Sequence, residues 1–157
     1  MMNKQLKSFL CAFKGIGYTI LNETHLRFHI VAMAFVIAFG ILFSLTAIEW
    51  AVLCLVFSLV MALELLNTAV ERVCNLYTTD YHPLIKIAKD VSAGAVLISA
   101  IGSIFVACFI FIKPQKIIQV YNLFISNPVY IILLLLAIVL SLLFIFKFHT
   151  KKANNKN

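Results

Sequence analysis

The chain is 157 residues long, and 63% of its residues are hydrophobic while only 12% are charged. This apolar share is far above that of soluble globular domains, so the composition predicts an all-α integral membrane protein. The formal net charge is +7, but the 13 basic residues flank apolar runs and do not gather on one polar face. This arrangement indicates membrane topology and contact with anionic lipid, and it excludes nucleic acid as an expected partner.

The first predicted element is an amphipathic helix over residues 5–22. Leu6, Phe9, Leu10 and Phe13 recur at helical spacing, and the lysines of this segment fall largely off the apolar stripe. A helix of this kind lies in the membrane interface with its apolar face toward the acyl chains. We therefore expect a surface helix here, followed by a polar junction over residues 22–29.

Three long apolar runs follow, each long enough to cross a bilayer, which requires about 20 residues. Glu49 and Trp50 are expected to form the turn between the first two runs, with Glu49 solvated and Trp50 anchored in the interface. Pro83 suits the first turn of the third helix. The spans are predicted at about residues 28–48, 50–76 and 84–112.

The chain continues beyond these spans, and we divide it into a membrane domain over residues 1–112 and a C-terminal extension over residues 113–157. The extension opens on a break at residues 113–116 and passes through a loosely amphipathic stretch to Pro128. A wholly apolar run over residues 129–146 predicts a fourth span. The basic tail that follows is expected to be disordered.

The distribution of basic residues predicts the orientation of the four spans. With the N-terminus in the cytoplasm, eleven basic residues lie inside and two lie outside. Both termini and the loop over residues 77–83 are then cytoplasmic. The outer two are Lys113 and Lys116, and the inner eleven are Lys4, Lys7, Lys14, Arg27, Arg72, Lys86, Lys89, Lys147, Lys151, Lys152 and Lys156.

The second span carries several polar side chains near its cytoplasmic end, which is unusual for a membrane helix. At 100° per residue, Glu64, Asn67, Glu71 and Asn75 fall within an arc of roughly 80° on one side of the helix. We call these four residues the polar stripe. Acids inside membrane helices are costly and indicate function, although polar side chains also serve as interhelical hydrogen-bond partners.

Neighbouring segments bring further polar groups to the same depth. Lys89 and Asp90 descend from the loop at the start of the third span, and Glu23 and Arg27 lie just before the first span. Phosphoryl transfer requires carboxylates for Mg²⁺, a cation near the phosphates and a carboxylate that accepts a hydroxyl proton. The cluster therefore predicts phosphoryl transfer to a lipid at the cytoplasmic face. His25 and His29 are interpreted as a polar flank at headgroup level.

The segments "ELLNTAVERV" and "YHPLIKIAKDVSAGAVLISAI" resemble the prokaryotic diacylglycerol kinase family, including its undecaprenol kinase branch, and "FKGIGYTILNETHLRFH" resembles the family's N-terminal region. The similarity extends over about residues 8–112. It implies a homotrimeric bacterial membrane kinase that uses ATP and Mg²⁺, with active sites shared between subunits and three spans per subunit. Carried over by motif, the catalytic base is Glu64, the metal ligands are Glu23 and Glu71, and the nucleotide or phosphate ligands are Lys14, Tyr18, Asn67, Lys89 and Asp90.

The chain departs from the family pattern at Asn75, where the family usually has Asp, and in the added residues after 113. The lipid substrate stays open between undecaprenol and diacylglycerol, because both present a primary hydroxyl at the same depth. Two other functions are considered. A small multi-span transporter would require an acid near the middle of the first span, which has none. A catalytically inactive family member would fit the change at Asn75.

Overall fold

The computed structural model describes residues 4–78 and 80–146, and this part of the chain consists of helices joined by short connections, without strands. The fold class predicted from composition is confirmed. The basic tail expected to be disordered, residues 147–157, lies outside the described residues. The six helices are α1 (Lys4–Asn22), α2 (Thr24–Leu42), α3 (Ala47–Tyr77), α4 (Pro83–Phe111), α5 (Pro114–Ser126) and α6 (Pro128–Phe146).

Four of these helices, α2, α3, α4 and α6, are long and apolar enough to cross a membrane. This number agrees with the sequence prediction of three spans plus a fourth. Large apolar side chains are exposed along all four helices, as expected for surfaces that face lipid. At 31 and 29 residues, α3 and α4 are each longer than the bilayer core requires, so both extend beyond it.

The junction between α1 and α2 is shorter than predicted. The expected polar stretch over residues 22–29 is helical except at Glu23, whose backbone is extended. Arg27 explains why the chain can turn so tightly, because its Nη1 donates hydrogen bonds to the carbonyl oxygens of Ile20 and Leu21 at 2.9 and 3.2 Å. These contacts satisfy carbonyls that the end of α1 leaves without helical partners.

The turn between α2 and α3 also differs from the prediction. It lies before Thr46, with Ser44 in the left-handed region at a φ of 52°, and both Glu49 and Trp50 are already helical. The side chains of Thr46 and Glu49 form a capping box with each other's backbone N–H groups. The turn expected at Glu49 and Trp50 was therefore wrong, because the T-x-x-E signature starts a helix at this point.

Contacts at both ends show that consecutive spanning helices run in opposite directions. Gly40 near the end of α2 contacts Trp50 near the start of α3, and Phe43 stacks edge-on against Phe111 at the end of α4. We call this end the Trp50 end. At the opposite end, which we call the site end, Arg27 at the start of α2 binds a carbonyl near the end of α6.

The Trp50 end holds the largest group of buried apolar side chains, formed by Phe43, Leu45, Leu53 and Ile110. Glu49 closes this end by pairing with Lys113, which lies between α4 and α5. Glu49 is thus an ion-pair and capping residue, not the solvated turn residue that was expected. The extension packs beside this core, since α6 contacts α2 and α5. The most extensive helix packing in the described chain joins α3 to α4.

Candidate active site

The polar stripe of α3 lies at the site end, where its members divide between two neighbouring helices. Glu64 is buried, with 4% of its surface exposed, and faces α2. Asn67 and Asn75 face α4, where they contact Ser92 and Lys89. The stripe therefore fills the junction of α2, α3 and α4.

Glu64 pairs with His29, to which the sequence analysis gave no role in the site. His29 Nε2 lies 3.1 Å from Glu64 Oε1, within hydrogen-bond reach, and the His29 side chain is 20% exposed. The interpretation of His25 and His29 as a polar flank did not include this contact, and His25, one turn earlier, is exposed. The signal available in the sequence was a polar residue one turn inside the first span, at a depth comparable to that of Glu64.

The middle of the stripe is a hydrogen-bonded chain between α3 and α4. Ser92 Oγ donates to Asn67 Oδ1 at 2.7 Å, and Asn67 Nδ2 approaches Glu71 Oε1 at 3.5 Å. Both Asn67 and Glu71 are half-buried. Since Asn67 uses its amide nitrogen toward Glu71 and its oxygen toward Ser92, the Glu71 carboxylate is oriented from α4 through Asn67.

The start of α4 contributes a cation to the outer part of the stripe. Lys89 Nζ donates to Asn75 Oδ1 at 2.7 Å. Asp90 does not join this contact but pairs with Lys86 of its own helix at 2.8 Å. Lys89 and Asp90 nevertheless line one cavity of about 360 Å³, together with Asp80 and Lys86. Two of the predicted ligands thus border the same solvent-accessible space.

Glu23 forms a separate contact on the α1 side of α3. Its Oε1 accepts from Arg72 Nη2 at 2.6 Å, and the Arg72 guanidinium lies 5.4 Å from the centre of the Tyr18 ring. Tyr18 and Arg72 also line a cavity of about 430 Å³ between α1 and α3. Lys14 is exposed one turn before Tyr18.

Arg27 was expected to complete the acidic cluster, but its described contacts lie elsewhere. Arg27 is 1% exposed, and its guanidinium donates hydrogen bonds to the carbonyls of Ile20, Leu21 and Ile145 and to the hydroxyl of Thr24. Arg27 therefore joins the ends of α1 and α6 to α2. Its role in these contacts is to hold helices together.

The acids fit a magnesium ion only in part. Among residues 4–78 and 80–146, no group of three or more His, Cys, Asp or Glu side chains is placed to hold a metal. Glu71 and Glu23 supply the carboxylate oxygens that Mg²⁺ prefers, and this ion needs only one or two carboxylates when phosphates and water complete its shell. Glu71 fits that requirement as it stands, while Glu23 is engaged by Arg72.

An apolar groove leads to the Glu64–His29 pair. Its volume is about 180 Å³, and it runs between α2, α3 and α4 from His29 toward Leu53 and Ala107. Apart from His29 and Ser103, its lining consists of aliphatic, methionine and phenylalanine side chains. Ser103 donates to the backbone of its own helix at Ala100. The groove is therefore suited to a hydrocarbon chain whose polar end reaches His29 and Glu64.

A search of protein families supplies the deciding observation, since the model of prokaryotic diacylglycerol kinase matches residues 10–111. The chain belongs to the prokaryotic diacylglycerol kinase family. It is accordingly a membrane protein and a lipid kinase. The matched region ends at the last residue of α4, so α5 and α6 lie outside it.

Individual relatives agree with this assignment. The chain is 40% identical to an undecaprenol kinase of Bacillus subtilis over 71% of its own length and 90% of the relative. It is 44% identical to a diacylglycerol kinase of Synechocystis over 69% of its length and 63% of the relative. It is 31% identical to a diacylglycerol kinase of Escherichia coli over 63% of its length and 81% of the relative. No solved structure matches the chain.

Proposed function

We propose that this lipid kinase transfers the γ-phosphoryl group of ATP, in the presence of Mg²⁺, to the primary hydroxyl of undecaprenol or diacylglycerol. The products would be undecaprenyl phosphate or phosphatidic acid. Relatives bearing both names support both substrates. The observation that carries the proposal is the buried carboxylate of Glu64 beside an apolar groove.

Glu64 acts as the general base. A lipid whose chain lies in the groove presents its hydroxyl near His29 and therefore near the carboxylate that His29 contacts. Glu64 takes the hydroxyl proton as the lipid oxygen forms a bond to the γ-phosphorus. The bond between that phosphorus and the bridging oxygen of ATP breaks, and ADP leaves with the electron pair. Burial keeps water from competing for the phosphoryl group.

The remaining predicted site residues contact the nucleotide and its metal ion. Lys89, oriented by Asn75, offers a positive charge to the phosphates, and Asp90 borders the same cavity. Asn67 positions Glu71, and Glu71 with Glu23 would hold Mg²⁺, which would neutralise developing phosphate charge. Tyr18 and Lys14 face the nucleotide from α1.

The topology supports the membrane side of the active site, the domain division and the oligomeric state that we propose. The site end carries most of the basic residues, so we place the active site on the cytoplasmic side of a bacterial plasma membrane. Residues 1–112 form the kinase domain and residues 113–157 a peripheral extension. The exposed apolar faces of α3 and α4 leave room for the homotrimer with shared sites that the family resemblance implies.

The test is a phosphorylation assay with purified protein, labelled ATP and Mg²⁺, and with undecaprenol and diacylglycerol in separate micelles. We expect a labelled lipid from at least one substrate and a loss of about 10²–10⁴-fold in Glu64→Gln. Glu49→Gln is the matched control, since Glu49 is on the same helix at the Trp50 end, and it should keep wild-type activity. Absence of labelled lipid with either substrate would refute the kinase assignment and favour an inactive family member or a transporter.

A further inference from the structure

The contact between His29 and Glu64 is unlike the other ion pairs of the described chain. The Glu64 side chain is 5% exposed, whereas the carboxylates that pair with Arg72, Lys86 and Lys113 are 20–62% exposed. A buried carboxylate is stable in an apolar bundle only when a partner satisfies it. Glu64 makes a further hydrogen bond through its backbone carbonyl, which accepts from the Thr68 hydroxyl. His29 is thus the partner that the described structure gives to the carboxylate.

His29 also links the groove to Glu64. The imidazole lines the groove and contacts Glu64, whereas Glu64 is not among the residues that line the groove. The imidazole and the Phe28 ring meet in an edge-to-face arrangement with a centroid distance of 5.9 Å. A lipid hydroxyl arriving along the groove therefore meets His29 and Glu64 as one unit.

We propose that His29 is a positioning residue for lipid phosphorylation, which holds the Glu64 carboxylate toward the lipid hydroxyl. This proposal rests on the proposed function, in which Glu64 is the base. In this proposal Nε2 of His29, which lies 3.1 Å from Glu64 Oε1, carries a proton that it donates to Oε1, so that Oε2 is left to accept the lipid proton.

The experiment compares wild type with His29→Ala, His29→Gln and His25→Ala in the same micellar assay, recording kcat and the KM values for ATP and for the lipid. His29→Ala should lower kcat about 10–100-fold with each KM changed less than about threefold, since orientation of the base is lost. His29→Gln should recover activity to within about fivefold of wild type, because its amide N–H can donate to Glu64. His25→Ala, an exposed histidine one turn earlier, should match wild type throughout.

Rescue by glutamine separates positioning from packing, because the amide N–H of glutamine can donate to Glu64 whereas alanine offers no donor. Equal losses of kcat in His29→Gln and His29→Ala would show that His29 only packs, and this result would overturn the proposal.

The outcomes also distinguish this inference from the proposed function. If Glu64→Gln is inactive while His29→Ala keeps wild-type kcat, His29 does not position the base and the proposed function stands. If Glu64→Gln stays active, the base is misassigned and the proposed function fails first. If His29→Gln is as inactive as Glu64→Gln, the imidazole itself takes the proton and the positioning role is refuted.

Discussion

Arg27 Nε, near the start of α2, donates a hydrogen bond of 3.0 Å to the backbone carbonyl of Ile145, near the end of α6. The same guanidinium binds two carbonyls at the end of α1, so a single buried cation joins three helices. Hydrogen bonds from a charged donor are about twice as strong as neutral ones, and a buried charge without them is costly. Arg27 is therefore the main polar link between the family's helices and the added one.

Replacing Arg27 should destabilise the protein strongly. In Arg27→Ala the carbonyls of α1 and α6 lose a charged donor in a buried place, so we expect a loss of about 2–4 kcal/mol in the free energy of unfolding. Unfolding in mixed micelles with increasing SDS, followed by circular dichroism, measures this loss. The control is Arg72→Ala, which removes a partly exposed ion pair and should cost less than about 1 kcal/mol. Equal losses in the two variants would contradict the proposed link.

Gly40 should tolerate no side chain, because a Cβ at this position would lie 2.7 Å from Trp50 and 3.0 Å from Leu45. Gly40→Ala should therefore push α2 away from the start of α3 and cost about 1–3 kcal/mol. Gly102→Ala is the matched control, since nothing lies within 4 Å of its added Cβ and alanine favours the helix. The same SDS unfolding curves report both. A Gly40→Ala protein as stable as wild type would show that Trp50 can move without cost.

The Glu23–Arg72 pair should compete with magnesium. If Glu23 is a metal ligand, Mg²⁺ must displace a guanidinium that is worth up to about 1 kcal/mol, which corresponds to about fivefold in affinity. Arg72→Gln should lower the half-saturating Mg²⁺ concentration by up to this factor, and Glu23→Gln should raise it. The measurement is lipid phosphorylation against free Mg²⁺ at saturating ATP. Lys113→Gln, which breaks the ion pair at the Trp50 end, should leave the curve unchanged.

Should both variants at Glu23 and Arg72 also give the wild-type magnesium curve, Glu23 would lose its assignment as a metal ligand. Glu71 would then be the carboxylate that remains for the ion.

Asn75 should contribute to nucleotide binding because it holds Lys89 in place. Asn75→Ala removes the oxygen that accepts from Lys89 Nζ, so the KM for ATP should rise about 3–10-fold with a smaller change in kcat. Asn75→Asp keeps an oxygen at this place and should stay within about threefold of wild type. A gain of more than tenfold in Asn75→Asp would instead mean that the natural chain is an impaired member of its family.

Part of the site follows from the sequence of one helix. Glu64, Asn67, Glu71 and Asn75 share a face because of helical periodicity alone, and Lys89 reaches Asn75 because two antiparallel helices meet at one depth. The partner of Glu64 could not be found in this way. His29 lies on α2, whose apolar residues are spread around the whole helix. The sequence of α2 therefore does not indicate which of its sides faces α3.

The sequence by itself determined the number of spans and their order, because hydrophobic length is a local property. Only the tertiary structure decided that Glu64 meets His29, that Glu23 meets Arg72, and that Arg27 holds the ends of α1 and α6. The physical reason is that such contacts depend on how each helix is rotated about its axis and packed on its neighbours. In an apolar bundle many rotations expose similar surfaces, so a few buried polar contacts select among them.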